Sequence, residues 1–249
     1  MQSNQYSSLI ITYNDEAQSY LDWLPTSSTL AYFKIENTDT NSTVYDKSSK
    51  GNNATWQGTA SYETLATWKR VLNLTGSQGL YCNNPVITTS PYTIVVRMYR
   101  NQNNSSDATI VSNQNDNGSR GTVLAYNGSN QLFSFFGNGS SWQTTNNVVN
   151  VDMNRRICYG FTVSGSTIKK YMSDSNGNIS LVQTVNASGT PNFTNATNLS
   201  VGFLRSNGSQ SNFRYLKGKL SSVVIENRSR ELSDFQNFCD KTKKKFWIN

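Results

Sequence analysis

The chain has 249 residues, a net charge of +7, only 15% charged residues, a mean hydropathy of −0.57 and no histidine. That length can bury one good core, and all-β sandwiches of this size are commonly single domains. The missing imidazole excludes Ser-His-Asp and Cys-His nucleophiles and most zinc sites.

Residues 1–29 read as an N-terminal arm. Leu9, Ile10 and Ile11 suit a short strand, and 15–24 suits about two helical turns before Pro25. The arm docks either on its own domain or on a neighbouring subunit. Its first residues lack the basic-then-apolar pattern of a secretory signal, and no stretch has transmembrane length. The expectation is a chain made and kept soluble in the cytoplasm, or exported by something other than its own signal, with no membrane partner.

The stretch from Tyr32 to Trp56 organises the rest of the chain. Tyr32, Lys34 and Glu36 alternate with Phe33 and Ile35, the period of a half-buried strand. Asp46, Ser48 and Ser49 can accept hydrogen bonds from nearby backbone, and Gly51, Asn52 and Asn53 tolerate positive φ, so a compact loop is expected before Trp56.

Strand-like runs then recur every ten to fifteen residues or so, bounded by Gly, Asn or Ser. The clearest are 71–75, 92–99, 109–112, 122–126, 132–136, 157–163, 167–172, 181–185, 199–204 and 219–226. In 92–99, Ile94, Val96 and Met98 share one face, opposed by Thr93, Val95, Arg97 and Tyr99. One face is core and the other suits a concave surface. Asn-Gly at 117, 127, 138, 176 and 207 suits tight hairpins with positive φ at both central positions.

Ser233 and Gln236 have capping-box spacing, and Phe235 and Phe238 follow at helical intervals, predicting a short helix that closes one end of the sandwich. Lys241, Lys243, Lys244 and Lys245 form the one dense basic run, a solvated tail over 241–249, so nucleic acid is not an expected partner. Cys82, Cys158 and Cys239 lie too far apart for a metal knuckle, and the first two read as reduced, buried thiols. Sequons such as Asn41, Asn53 and Asn127 read as turn chemistry.

Four blocks in order resemble laminin G-like domains, the jelly-roll family related to concanavalin A-type lectins. They are the turn of Asp46, Ser48, Gly51, Asn52 and Asn53; residues 71–81 with 92–97; residues 131–142 with 155–163 and 167–171; and residues 218–225 through Ser233. The resemblance runs from about Leu30 to Phe238. It implies an all-β fold, a two-sheet antiparallel sandwich over 30–240, with recognition of glycan or protein as its use. Ser221 and Ser222 stand where the family often has Asp-Glu, and Arg156-Ile157-Cys158 replaces its usual Trp-His-Val. Calcium-binding members use acidic rim ligands; here Asp46 with neighbouring amides offers only part of such a set, so no cofactor is expected, calcium being the one metal left open.

Jelly-roll glycanases place two carboxylates about 5 Å apart on one strand. No Glu-x-Asp-x-Glu run occurs: Glu36 and Asp39 straddle a strand end, and Asp15 and Glu16 lie in the arm. Neither a phosphate loop nor a dinucleotide fingerprint is present. Binding is the function left. Amides and hydroxyls beside an aromatic ring suit a sugar, which nominates Asn138, Ser140 and Trp142 in one loop and Asn52, Asn53 and Trp56 in another, against a packing role for the same aromatics. Trp23, Trp68 and Trp247 read as anchors or core. The leading expectation is a non-catalytic recognition or assembly module of a virion, a decoration, minor capsid or fibre-associated protein, with the arm on other subunits and glycan as candidate ligand. A stand-alone lectin and a jelly-roll glycanase are the alternatives.

Overall fold

The computed structural model describes residues 25–64, 70–104, 107–115, 119–144, 148–204 and 214–237. Most of the arm, the lysine run, Cys239, Trp23, Trp68, Trp247 and the Asn-Gly pairs at 117 and 207 lie outside the described residues.

In chain order the strands are β1 (Thr29–Lys34), β2 (Thr43–Val44), β3 (Ala54–Gln57), β4 (Tyr62–Thr64), β5 (Arg70–Thr75), β6 (Gly79–Cys82), β7 (Tyr92–Arg100), β8 (Ala108–Asn115) and β9 (Arg120–Tyr126). They continue with β10 (Gln131–Asn138), β11 (Trp142–Thr144), β12 (Val149–Asn150), β13 (Arg155–Ser164), β14 (Thr167–Ser173), β15 (Ile179–Asn186), β16 (Leu199–Val201) and β17 (Lys217–Glu226). Every pairing is antiparallel, and two sheets result. One has the order β15-β14-β13-β7-β17-β5-β4, with β1 also on β17; the other has β11-β10-β9-β8-β16-β6-β3-β2, with β12 also on β10. The expected two-sheet antiparallel sandwich is what forms, and its strands fall where the alternation placed them.

The core lies between the sheets. Ile94, Val96 and Met98 of β7 join Ile157, Tyr159 and Phe161 of β13 there, as the alternation requires. Lys170 is also fully buried, as the register partner of Phe161. The opposite face of β7 is no concave surface. Val95 belongs to a second apolar cluster with Tyr32, Cys158, Tyr171, Ile179, Val224 and Phe235.

The helix over 232–237 supplies Phe235 to that cluster. Phe235 stacks on Tyr171 with ring centroids 4.2 Å apart, and a Cβ added at Gly160 would sit 2.2 Å from its ring. The helix thus covers a sheet face, where the sequence suggested the end of the sandwich. Its cap also lies two residues earlier than expected: the Glu231 N–H donates to Asp234 Oδ2 at 3.0 Å, the return half of a capping box. The entry is fixed by Arg230, which donates to both oxygens of fully buried Glu226 at 2.5 and 2.8 Å and pairs with Asp234 at 3.1 Å. No helix among the described residues is long and apolar enough to cross a membrane.

The Asn-Gly hairpins close differently from the expected mirror-image turns. At 127–130 the positive φ falls on Asn130, and the Asn127 side chain accepts from the Ser129 and Gln131 amides. At 174–178, Asp174 does the same for Asn176 and Asn178, leaving only Gly177 with positive φ. Side-chain acceptors replace the second left-handed residue.

The loop after β2 is compact, as its composition predicts. Asp46 Oδ1 accepts from the Tyr32 and Ser48 amides at 2.9 and 2.8 Å, and Oδ2 from Ser48 Oγ and the Asn52 amide at 2.7 and 2.8 Å. The Lys47 amide donates to Tyr32 O, and Asn52 Nδ2 to Leu30 O. The loop therefore occupies the edge of β1 that faces away from β17.

Candidate functional site

Three loops meet at one end of the sandwich around a cleft of about 650 Å³. The β6–β7 connection contributes Thr88, Thr89, Ser90 and Pro91; the β13–β14 hairpin contributes Gly165; the β15–β16 connection contributes Thr190, Pro191, Asn192, Phe193 and Thr194.

Each loop is held by a specific contact. Asn113, fully buried near the end of β8, accepts from the Val86 and Ile87 amides at 3.1 Å and donates to Ile87 O at 2.9 Å. Those bonds satisfy the backbone leading into the threonine pair. The Ala187 amide donates to Ser166 O at 2.8 Å, tying the hairpin to the third loop. Asn192 bridges two strand ends: its N–H donates to Gly137 O, and its carbonyl accepts from the Gly121 N–H. Gly121 and Gly137 are register partners, and a Cβ at either would lie 2.0 Å or less from backbone oxygen, so the hairpin passes only because both are glycine.

Phe193 supplies an aromatic ring to the cleft. It rests edge-on against buried Tyr92, centroids 5.5 Å apart, and the Tyr92 hydroxyl donates to Thr122 Oγ1 at 2.9 Å. Burial pushes the Tyr92 phenol well above its usual range despite that bond. Five hydroxyls and one amide share the lining with this ring, two prolines and a glycine, and none of the ten side chains carries a charge. Such a surface hydrogen-bonds a neutral polar ligand and stacks on its apolar face; it holds no proton donor or acceptor that titrates near neutrality.

Asn138, Ser140 and Trp142 come together on the β10–β11 hairpin beside this cleft. Asn138 Oδ1 accepts from the Ser140 and Ser141 amides, and its Nδ2 donates to Ser188 O at 3.0 Å. A Cβ on Gly139 would lie 2.8 Å from Asn192 Nδ2, so the hairpin abuts the cleft wall. Trp142 is half-buried on the outer sheet face, edge-on to Phe135 at 5.3 Å; Phe135 in turn stacks on Phe133 at 5.5 Å.

Asn52, Asn53 and Trp56 belong to the Asp46 loop and β3. Their side chains bond to neighbouring groups of the protein: Asn53 Oδ1 accepts from the Asp46 amide, and Trp56 Nε1 donates to Tyr62 Oη at 3.0 Å. Trp56 is buried in the core. This loop still borders the same end, because the Cys82 thiol, last residue of β6 before the cleft loop, donates to Asn52 O. Both oxygens of Asp46 already accept two donors each, and no group of three or more acidic or thiol side chains gathers among the described residues.

Cys82 and Cys158 are buried thiols outside any disulfide, and desolvation, with Asp46 adding to it, pushes the Cys82 thiol up to about 12. It is not an activated nucleophile.

The cleft residues themselves escaped the sequence reading. Their signal was Thr-Thr-Ser-Pro at 88–91 and Thr-Pro-Asn-Phe-Thr at 190–194, two proline-anchored hydroxyl runs far apart in the chain.

No family model matches this chain, and no curated protein matches it in sequence. Solved structures do. A structure of botulinum neurotoxin type C, described for cell entry dependent on two ganglioside molecules, has a TM-score of 0.63 at 14% identity, covering 86% of this chain and 51% of that one. Domain 4 of AbnA, a GH43 extracellular arabinanase from Geobacillus stearothermophilus, in complex with arabinotriose, has a TM-score of 0.61 at 15% identity, covering 85% and 98%. The Trypanosoma rangeli sialidase in complex with sialic acid has a TM-score of 0.59 at 13% identity, covering 97% and 39%. The chain thus spans about half the length of the toxin chain it matches. At these identities the likeness is one of fold: this chain shares the two-sheet jelly-roll sandwich of all three.

Proposed function

We propose that this chain is a non-catalytic recognition module that binds a neutral glycan in the cleft between Thr88–Pro91 and Thr190–Thr194, with Asn138, Ser140 and Trp142 as its outer rim. The carrying observation is the lining itself, hydroxyls and an amide around Phe193 without a charged side chain. Asn52, Asn53 and Trp56 act from beneath, holding the neighbouring loop in shape. The ganglioside, arabinotriose and sialic acid named with the similar structures support a sugar as ligand class. The laminin G-like resemblance supports the same use of the rim loops.

The wider role we assign is that of a decoration, minor capsid or fibre-associated protein of a virion, docking to other subunits through residues 1–29. That reading rests on the sequence, and co-sedimentation with purified particles tests it; a chain that never travels with particles ends it.

The binding reading is tested on a glycan array and then by titration of the best hit. Asn192→Ala together with Thr190→Ala should weaken binding by about tenfold or more with the melting temperature held, and Trp142→Ala by less. A clean array with folded protein overturns the proposal. Turnover of the bound glycan overturns its non-catalytic part.

A further inference from the structure

An unpaired strand edge invites pairing with another chain, and most edges formed by the described residues are blunted. Among the described residues, β2 and β12 are two residues long, and β4 and β11 are three. The edge of β1 is occupied by the Asp46 loop, which takes the Tyr32 N–H and C=O and the Leu30 carbonyl.

Among the described residues the edge strand β15 is the least protected, its one such device being a bulge at Val182. It runs eight residues, Ile-Ser-Leu-Val-Gln-Thr-Val-Asn, with no charge and no proline. At about 3.3 Å per residue it spans about 26 Å, its ladder interrupted once at the bulge. Leu181 and Val182 on it are 45% and 39% exposed, two of the four large apolar side chains left in solvent among the described residues. Leu181 is the register partner of Tyr171, so the apolar cluster beneath Phe235 continues to this edge and ends in water. Val182 stands outside the register as a bulge, its side chain free of the β14 ladder.

We propose that β15 pairs with β15 of a second copy of this chain, antiparallel about a two-fold axis, joining two sheets into one. An antiparallel edge is its own complement, since each outward N–H meets the partner's C=O under that rotation. The second copy also brings a second Leu181 to the uncovered end of the apolar row, and the uncharged edge sets no like charges against each other. The interface is separate from the cleft and does not depend on its ligand.

Sedimentation velocity over roughly a hundredfold range of concentration reads the equilibrium. The expected result is a monomer–dimer equilibrium that Leu181→Lys with Val182→Lys weakens by about tenfold or more, with circular dichroism and melting unchanged. Hydrogen exchange on the unmodified protein gives a second reading that needs no variant: the β15 amides should gain protection as concentration rises. A monomer at every concentration with β15 amides always fast, a dimer untouched by the double variant, or open-ended oligomers would each overturn the proposal.

Discussion

Asp46→Ala is expected to be the most damaging single change in the loop region, although the residue is neither core nor at the cleft. Its carboxylate accepts four hydrogen bonds, two of them from the Tyr32 and Asn52 amides in partly buried positions. Bonds to a charged acceptor are worth about 1.5–3 kcal/mol each when buried, but water can replace part of each where the site is half-exposed. Taking about 1 kcal/mol for each of those two amides and less for the two Ser48 donors gives about 2–3 kcal/mol in total. At about 2–4 °C per kcal/mol for a chain of this size, melting should fall by about 5–10 °C. Ser48→Ala removes only the Ser48 Oγ bond to the carboxylate and the one Ser48 Oγ takes from the Lys50 amide, so it should cost about 1 kcal/mol or less. Thermal and urea unfolding of both variants, with the unmodified protein, is the assay. The urea slope should be unchanged, since the surface exposed on unfolding is the same. An Asp46→Ala protein within about 1 kcal/mol of the original, or no worse than Ser48→Ala, would refute the view that this carboxylate holds the loop on β1.

Lys170 is fully buried, and desolvation lowers its ammonium from 10.5 to about 8. Below pH 8 it is charged in both states; between 8 and 10.5 the unfolded chain holds the proton and the folded chain does not, so this group adds stability as pH rises. Relative to Lys170→Met, the unmodified protein should gain up to about 3 kcal/mol across that window, read by urea unfolding at several pH values; a constant or widening deficit refutes it. Above pH 10 the raised phenols of Tyr92, Tyr126 and Tyr159 act oppositely, since the unfolded state then loses their protons first, and overall stability should fall. Arg230→Met leaves buried Glu226 without its bidentate partner and should cost about 3 kcal/mol or more by denaturation, a loss that Glu226→Gln in the same chain should partly restore. Asn113→Ala strands the Val86 and Ile87 amides in the core; besides lowering stability by about 2 kcal/mol, it should release Thr88 and Thr89 and weaken glycan binding, whereas unchanged exchange rates at Val86 and Ile87 would show that the loop holds itself.

The sandwich was legible because its signal is physical and redundant. In β7 and β13 every second residue falls on one face, and that period fixes which side chains reach the core between the sheets, so both could be read in isolation. The Asp46 loop was legible for a related reason, since a carboxylate followed by small polar residues and Gly51 folds back on local bonds alone. The features that sequence reading missed depend on distant pairings. The outer face of β7 looked open because nothing in residues 92–99 announces that Phe235 will lie near Val95, and Gly160 gives no sign that it is a seat for that ring.

The cleft shows the same limit more sharply. Trp142 drew attention as a large aromatic among amides, a local cue, while Phe193 and the two threonine runs acquire meaning only when β6–β7 and β15–β16 are brought to one end. Two asparagines do the bringing. The Asn113 side chain and the Asn192 backbone bond to main-chain groups that the strands leave unpaired, and the threonines beside them then line the cleft. An amide-rich, charge-poor sequence therefore uses one chemistry in two places, inside to lock loops and outside to line the cleft. Telling the two uses apart requires knowing which loops meet, information that lies in the register of the strands and not in the composition of any single loop.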